Sequence, residues 1–211
     1  MKVLNCRIDI SGSNSDSDFA ITFDDGPHPE FTPKILEVLE SHKVKATFFL
    51  SGRNIESNRS TAEDLAGKGH LIGNHTYSHL SAFRIGKVRL LEEIVRTREL
   101  IESITGEPNK YLRPPYGHIT PAMLSICRNL DMTIVLWSFN SWDFRGISAE
   151  KIISRAEKKI SPGTILLFHE CHFRDGSRDY SATIKAVDSI LEYTLKRGLK
   201  PVTVAQLLDD Q

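Results

Sequence analysis

Short runs of apolar and β-branched residues alternate along the whole chain with longer stretches in which apolar residues recur at helical spacing. Buried parallel strands read as short apolar runs and their covering helices as amphipathic stretches, so this alternation predicts an α/β protein built from βα units. We predict seven strands, at residues 20–23, 46–50, 71–73, 110–112, 133–137, 164–168 and 201–203. Periodicity alone leaves open whether they close into a barrel or form an open doubly wound sheet.

The domain organisation follows from length and from one polar segment near the start. A chain of 211 residues with 40% apolar content is long enough for one sizeable core, and no linker interrupts the βα pattern. The glycine- and serine-rich stretch 11–17 predicts a flexible arm or a hairpin over residues 1–17. We therefore predict a single domain over residues 18–211.

Charge and cysteine content narrow the function classes. Lysine plus arginine equals aspartate plus glutamate at 27 each, so no net field attracts nucleic acid or anionic lipid. The three cysteines lack metal-type or redox-type spacing. No stretch reaches membrane-spanning length or resembles a leader, so we expect a soluble chain without stable membrane insertion. A leader removed from a longer precursor would leave the natural compartment open.

Two histidines and a pair of carboxylates supply the ligand types of a catalytic metal. His75 and His79 are four residues apart, so a helical turn would place both rings on one side, within reach of one ion. Asp24 and Asp25 end a predicted buried strand, where adjacent carboxylates repel each other unless a cation or a donor is nearby. Two histidines with Asp25 would leave coordination positions open for water and substrate. Taken singly, each motif is also compatible with an ordinary turn or with solvated histidines.

Other polar residues follow further predicted strand ends, and the carboxyl ends of the strands bind ligands in both candidate architectures. Arg113 opens a proline-stiffened turn and can form a charge-assisted bond with Asp24. His169 follows a strand end, and Asp143 is a candidate partner that would orient it and favour its protonated form. Residues scattered over the sequence are therefore expected to converge on one face.

Aromatic residues group near the same strand ends. They predict a wall against which a sugar ring packs, although such residues are as often ordinary core or rim aromatics. The group consists of Tyr116, Trp137, Trp142 and Phe144. Cys171 and His172 follow His169 closely but lack the spacing of the helical zinc-protease motif, so we leave both out of the predicted site.

Five motifs, taken together and in order, resemble those of polysaccharide deacetylases of carbohydrate esterase family four. They are residues 22–27, 75–79, 113–117, a degenerate fourth motif over 140–144, and 166–169, within a resemblance that spans residues 21–208. The resemblance implies a single-domain α/β fold, a distorted (β/α)7-type barrel. It also implies one divalent metal, commonly zinc with cobalt or nickel as alternatives, held by Asp25, His75 and His79.

The same resemblance implies a role for the remaining polar residues. Asp24 matches the general base, and Arg113 matches the residue that orients this base. His169 matches the general acid, and Asp143 matches its supporting carboxylate. The implied substrate-binding residues are Pro115, Tyr116, Trp142, Phe144 and Leu166.

Two of these substrate-binding residues have a specific implied role, and one motif departs from the family pattern. The Tyr116 backbone N–H matches an oxyanion donor, and Leu166 falls where the family lines a small pocket for the acetyl methyl group. In the fourth motif, Asn140 and Phe144 stand where the family often has aspartate and tryptophan. We interpret these departures as a change in the wall that faces the substrate.

The expected activity is metal-dependent hydrolysis of N-acetyl groups on an oligo- or polysaccharide that contains N-acetylglucosamine, with release of acetate. O-Deacetylation of acetylxylan-type glycans would use the same residues. Deformylation of a lipid-linked sugar is a third possibility, disfavoured by the lack of a membrane-binding segment. From another class, the chain could be a catalytically inactive carbohydrate-binding module on the same scaffold. The expected partner is the acetylated glycan, and no nucleic-acid partner is expected.

Overall fold

A computed structural model shows parallel strands surrounded by helices, and it describes residues 8–9, 11, 16–172 and 178–209. The strands are β1 (Ile8–Asp9), β2 (Asp18–Asp24), β3 (Thr47–Leu50), β4 (Leu71–Asn74), β5 (Tyr111–Leu112), β6 (Thr133–Val135), β7 (Phe139–Asn140), β8 (Ile165–His169) and β9 (Lys200–Val202). The helices are α1 (Phe31–Ser41), α2 (Gly52–Ser57), α3 (Arg59–Gly67), α4 (Lys87–Thr105), α5 (Pro121–Asn129), α6 (Ala149–Glu157), α7 (Ser181–Lys196) and α8 (Val204–Asp209). Short 3-10 turns lie at Pro115–Gly117 and Asp143–Arg145.

Hydrogen bonding closes the strands into a distorted barrel. The order is β1-β6-β5-β4-β3-β2-β8-β7, all of these pairs are parallel, and β9 pairs with the start of β2. The segment 133–140 contains both β6 and β7. Strand β6 pairs with β5, and β7 pairs with β8. Because one continuous segment joins both ends of the ladder, the sheet returns on itself. The prediction of a single-domain, distorted (β/α)7-type barrel is confirmed.

All seven predicted strands are present, with ends shifted by one or two residues. Strands β1 and β7 were not predicted, because a strand of two residues is too short for periodicity to reveal. Most of the predicted N-terminal arm or hairpin lies outside the described residues. Of its described part, β1 pairs with β6 and Ser11 forms an isolated bridge with Thr164.

Side chains of β2 alternate between two environments, as they do along any strand. Ile21 and Phe23 pack outward in the main hydrophobic core beneath the helices. Ala20 faces inward and shares a second cluster with Val204 of α8. The Val204 N–H donates to the Thr47 hydroxyl at the start of β3 at 2.9 Å, so α8 fills the amino end of the barrel. The polar strand ends lie at the opposite, carboxyl end of the barrel.

The sequence predicts a helix over residues 87–105, helix caps at Thr32 and Thr120, and a capping box over residues 60–63. Helix α4 spans the predicted residues 87–105, and the Thr120 hydroxyl caps α5 by accepting from the Met123 N–H at 3.2 Å. The predicted capping box over 60–63 is wrong because α3 already begins at Arg59. Thr32 was also expected to cap, but it lies inside the first turn of α1 and bonds to Glu170 instead. None of the described helices combines the length and the apolar character needed to cross a membrane.

Candidate active site

One cavity at the carboxyl end of the barrel collects the polar strand ends. Its volume is about 300 Å³. The residues that line it are Asp24, Asp25, His75, His79, Tyr116, Trp137, Asn140, Phe144, Leu167, His169 and His172. These residues come from every quarter of the sequence, and the parallel strands bring them together because all of their carboxyl ends meet at one edge.

Asp25, His75 and His79 form a compact, buried set of ligand atoms. Asp25 Oδ1 lies 3.4 Å from His75 Nε2 and 3.1 Å from His79 Nε2. Two atoms bound tetrahedrally to one metal at about 2.1 Å are separated by about 3.4 Å, so this spacing fits a shared ion. Both imidazoles direct their Nε2 atoms at Asp25 Oδ1, as expected when all three atoms point at a common centre.

Local backbone geometry positions the two histidines. The His75 Nδ1–H donates to the Arg113 carbonyl at 2.7 Å, which directs Nε2 towards Asp25. The prediction of a helical turn over 75–79 is wrong, since Thr76 and His79 have positive φ values of 62° and 55°. The Asn74 side-chain oxygen stabilises this turn by accepting from the Thr76 N–H at 2.8 Å. The rings still meet, with centroids 5.0 Å apart.

Burial raises the pKa of Asp25, but hydrogen-bonding and charge interactions with the imidazoles of His75 and His79 outweigh it, so this pKa lies well below its usual range. Asp25 is therefore ionised at neutral pH, as a metal ligand must be. Its own backbone is left-handed, with a φ of 76°. A non-glycine residue in this conformation costs about 1 kcal/mol or more, which the surrounding fold must offset.

Arg113 holds Asp24 beside this set. Its guanidinium donates to Asp24 Oδ1 at 2.7 Å and to the Thr22 hydroxyl at 2.6 Å. It also donates to the carbonyls of Val135 and Leu136, at 3.2 and 2.9 Å. Arg113 is fully buried, so these bonds fix the orientation of its guanidinium group. Asp24 Oδ2, on the other side of the carboxyl group, lies 3.8 Å from His75 Nε2, towards the cavity.

His169 lines the cavity and forms a second pair with Asp143, which is buried. The His169 Nδ1 lies 2.7 Å from Asp143 Oδ1, and the His169 backbone N–H donates to Asp143 Oδ2 at 2.8 Å. Burial lowers the pKa of His169, but the charge and hydrogen bond of Asp143, together with the charges of Asp25 and Asp24, raise it to about 9. His169 is therefore protonated at neutral pH and can donate a proton.

Sequence comparison agrees with this geometry. The chain matches the polysaccharide deacetylase family over residues 11–135. It is 36% identical over 198 residues to a peptidoglycan-N-acetylglucosamine deacetylase of Bacillus cereus, which covers 94% of this chain and 70% of that protein. The chain belongs to the polysaccharide deacetylase family. Membership supports a hydrolytic deacetylase activity.

Two solved structures share the fold of this deacetylase-family chain. One is a peptidoglycan N-acetylglucosamine deacetylase in complex with 4-naphthalen-1-yl-N-oxidanyl-benzamide, with a TM-score of 0.91, 34% identity and coverage of 98% of this chain and 94% of that chain. The other is a carbohydrate esterase family 4 pseudoenzyme from Bacillus anthracis, with a TM-score of 0.88, 26% identity and coverage of 98% and 70%. Because the same fold occurs in a pseudoenzyme, activity has to be argued from the site residues.

Most of the predicted site residues lie at the cavity of this deacetylase-family chain. Arg113 and Asp143 do not line it but lie directly behind Asp24 and His169. Leu166 does not line the cavity, contrary to the prediction. It is fully buried in the outer hydrophobic core, and its neighbour Leu167 lines the cavity instead. The reason is strand alternation along β8, which directs residue 167 to the same side as His169.

Two more predicted substrate-binding residues do not line the cavity. Pro115 is buried in the turn behind Tyr116. Trp142 lies outside this cavity, in an adjoining groove, whereas Trp137 lines the cavity. Tyr116 and Phe144 do line the cavity as predicted. Three of the four aromatic residues of the predicted wall therefore line the cavity, and Trp142 does not.

His172 was excluded from the predicted site, and it lines the cavity. It was left out because it lacks the spacing of the helical zinc-protease motif. His172 instead reaches the cavity from the segment that follows β8. The sequence signal that could have found it is its place three residues after a strand-end histidine. Asn140 also lines the cavity, consistent with its interpretation as part of the substrate-facing wall.

Glu170 lies beneath the turn that carries the two aspartates. It is fully buried, and it accepts a hydrogen bond from the Thr32 hydroxyl. Burial raises the pKa of Glu170 to about 8 although the Thr32 hydrogen bond lowers it, and the charges of Asp25 and Asp24 add to the rise. A Cβ on Gly26 would lie 1.7 Å from Glu170 Oε1. Glycine is therefore required after the aspartates because any side chain there would collide with Glu170.

Proposed function

We propose that the chain is a metal-dependent N-deacetylase that hydrolyses N-acetyl groups on a glycan containing N-acetylglucosamine, such as peptidoglycan or a chitooligosaccharide. The observation that carries this proposal is the convergence of three units on one cavity. The units are the Asp25, His75 and His79 ligand set, the Asp24 carboxylate held by Arg113, and the protonated His169 held by Asp143. An inactive binding module has no need of all three.

Asp25, His75 and His79 would hold one divalent ion. One carboxylate and two imidazoles suit zinc, and cobalt and nickel are alternatives. A metal held there would polarise the acetyl carbonyl and lower the pKa of a water molecule. With only three protein ligands, the set leaves room for both water and substrate.

The protein side chains supply the proton transfers. Asp24 Oδ2 takes the proton of the attacking water, while the Arg113 bond to Oδ1 keeps the carboxylate oriented. The backbone N–H of Tyr116 is the proposed donor to the developing oxyanion, in a left-handed turn with a φ of 60°. Protonated His169 donates its proton to the departing nitrogen, which is a poor leaving group without it. Leu167 offers the apolar contact for the acetyl methyl group.

Acetate release from chitooligosaccharides tests the proposed function directly. The protein is assayed after chelation, and again after zinc, cobalt or nickel is added back. We expect chelation to stop acetate release and zinc to restore it, because three of the cavity residues form the metal set. Release that survives complete chelation would contradict metal dependence. Release from acetylated xylan but not from chitooligosaccharides would assign O-deacetylation, and glycan binding without any release would assign the inactive module.

The pH dependence of N-deacetylation tests the role of His169. Because the pKa of His169 is raised to about 9, its acid form is present below that pH and is lost above it. We therefore expect kcat/KM to fall as the pH rises through about 9. Asp143→Asn removes the neighbouring negative charge and should move this alkaline limb to lower pH.

The control for this pH profile is Asp188→Asn. Asp188 is an exposed aspartate on α7 that contacts His42, at 2.7 Å, and not the cavity. Its replacement should leave the alkaline limb in place. An alkaline limb that stays in place in Asp143→Asn as well would show that His169 is not the acid.

A further inference from the structure

A groove next to the metal cavity carries positive charge that the proposed mechanism does not use. Its volume is about 450 Å³, and it shares Trp137 and Asn140 with the metal cavity, so the two spaces adjoin. Its other lining residues are Ser138, Phe139, Trp142, Arg155, Lys158 and Lys159. A glycan with one sugar at the metal can therefore extend into the groove.

The charge of Arg155 is held in place but not neutralised. Its guanidinium donates to the carbonyls of Ser141 and Asn140 at 2.6 and 3.0 Å. It also lies over the Trp142 ring, 4.0 Å from the ring centroid. Carbonyls and an aromatic ring are neutral partners, so the positive charge remains available to an anion.

Lys158 and Lys159 add two more cations. Both are exposed, and neither forms an ion pair with any residue that the structure describes. No carboxylate from the described part of the chain lines the groove. The two acids of α6, Glu150 and Glu157, do not line it, and Glu150 contacts Lys185 at 3.0 Å. A chain with no net charge thus concentrates three cations in one groove.

Aromatic surface accompanies this charge. Trp142 is 43% exposed, and Trp137 forms the boundary between groove and cavity. An aromatic face suits the apolar face of a sugar ring, and arginine and lysine suit a carboxylate. A neutral sugar polymer would use the tryptophans and leave the cations without a partner.

We infer that this groove binds a carboxylate-bearing substituent of an acidic glycan while a neighbouring N-acetylated sugar occupies the metal cavity. The inference rests on the proposed function for the position of that sugar. It narrows the substrate class from acetylated glycans in general to acidic ones. The carboxylate could belong to the lactyl ether of an N-acetylmuramic acid unit or to a peptide attached to it, and the two sources can be separated experimentally.

The test measures binding by titration calorimetry with zinc-loaded protein in an Asp24→Asn background, which keeps bound sugars intact. Three glycans of equal length are compared: a chitooligosaccharide, a peptide-free strand alternating N-acetylglucosamine with N-acetylmuramic acid, and the same strand with its peptides. We expect tighter binding of at least one acidic strand. Lys158→Gln with Lys159→Gln should reduce the ratio of acidic to neutral affinity about fivefold. Added salt should reduce it as well.

The matched control replaces Lys110 and Lys200 with glutamine. Both are exposed lysines outside the groove and the cavity, so the net charge changes equally while the ratio should not. Preference for the peptide-free strand assigns the lactyl carboxylate, and preference only for the strand with peptides assigns their carboxylates. A ratio that is the same in the groove variant and the parent overturns the inference. Acetate release by the wild-type protein, measured separately, reports on the proposed function independently of this ratio.

Discussion

Asp24→Asn is expected to lower kcat/KM for acetate release by about 10²- to 10⁴-fold while zinc binding persists. An asparagine keeps the shape of the side chain and an oxygen for the Arg113 bond, but it cannot accept the proton of the attacking water. Asp24 is also not one of the three residues of the proposed metal site. The measurements are steady-state acetate release at saturating zinc and zinc affinity by competition with a chromogenic chelator.

The neighbouring substitution, Asp25→Asn, is the matched control. Both changes remove one carboxylate charge from the same turn, but Asp25 supplies a ligand atom, 3.1 Å from His79 Nε2. Asp25→Asn should therefore weaken zinc binding by at least about 100-fold. Equal zinc affinities in the two variants would contradict the division of roles between these adjacent aspartates.

Arg113→Met is expected to destabilise the zinc-free protein by about 3–5 kcal/mol. Arg113 and Asp24 are both buried and 2.7 Å apart, so the substitution leaves a buried carboxylate without its cation. It also removes donors from the carbonyls of Val135 and Leu136. Urea unfolding of the zinc-free variants measures the loss.

A double variant separates the charge effect from the loss of packing. Arg113→Met with Asp24→Asn removes the uncompensated charge as well, so the double variant should be more stable than Arg113→Met alone. The stability of Asp24→Asn alone completes the double-mutant cycle. If the double variant is as unstable as the sum of the two single variants, the pair is not coupled and Arg113 does not act by holding the charge of Asp24.

The fold could be predicted well because the alternation of apolar runs and amphipathic stretches repeats along the chain. Each βα unit carries a buried apolar strand and an amphipathic helix, and α4 was predicted to its ends. Barrel closure could not be read in the same way. It depends on the hydrogen bonds by which β6 and β7, on a single segment, pair with β5 and β8, and these involve backbone groups that every residue has.

Side-chain direction shows most clearly what the prediction of the site lacked. Leu166 and Leu167 are chemically identical, and only the register of β8 against β2 determines which one faces the cavity. Likewise, the spacing of His75 and His79 suggested a helical turn, but the structure brings the rings together through left-handed residues held by Asn74. In both cases, the geometry differs from the one predicted.

The sequence by itself determined the βα architecture and the set of groups that can carry the chemistry, because both depend on residue type and order along the chain. Only the tertiary structure decided which of these groups meet. It placed Arg113 behind Asp24 and Glu170 beneath Gly26, and it joined a cationic groove to the candidate active-site cavity. These contacts link residues far apart in sequence, and their distances follow from strand register and barrel closure, which no local pattern encodes.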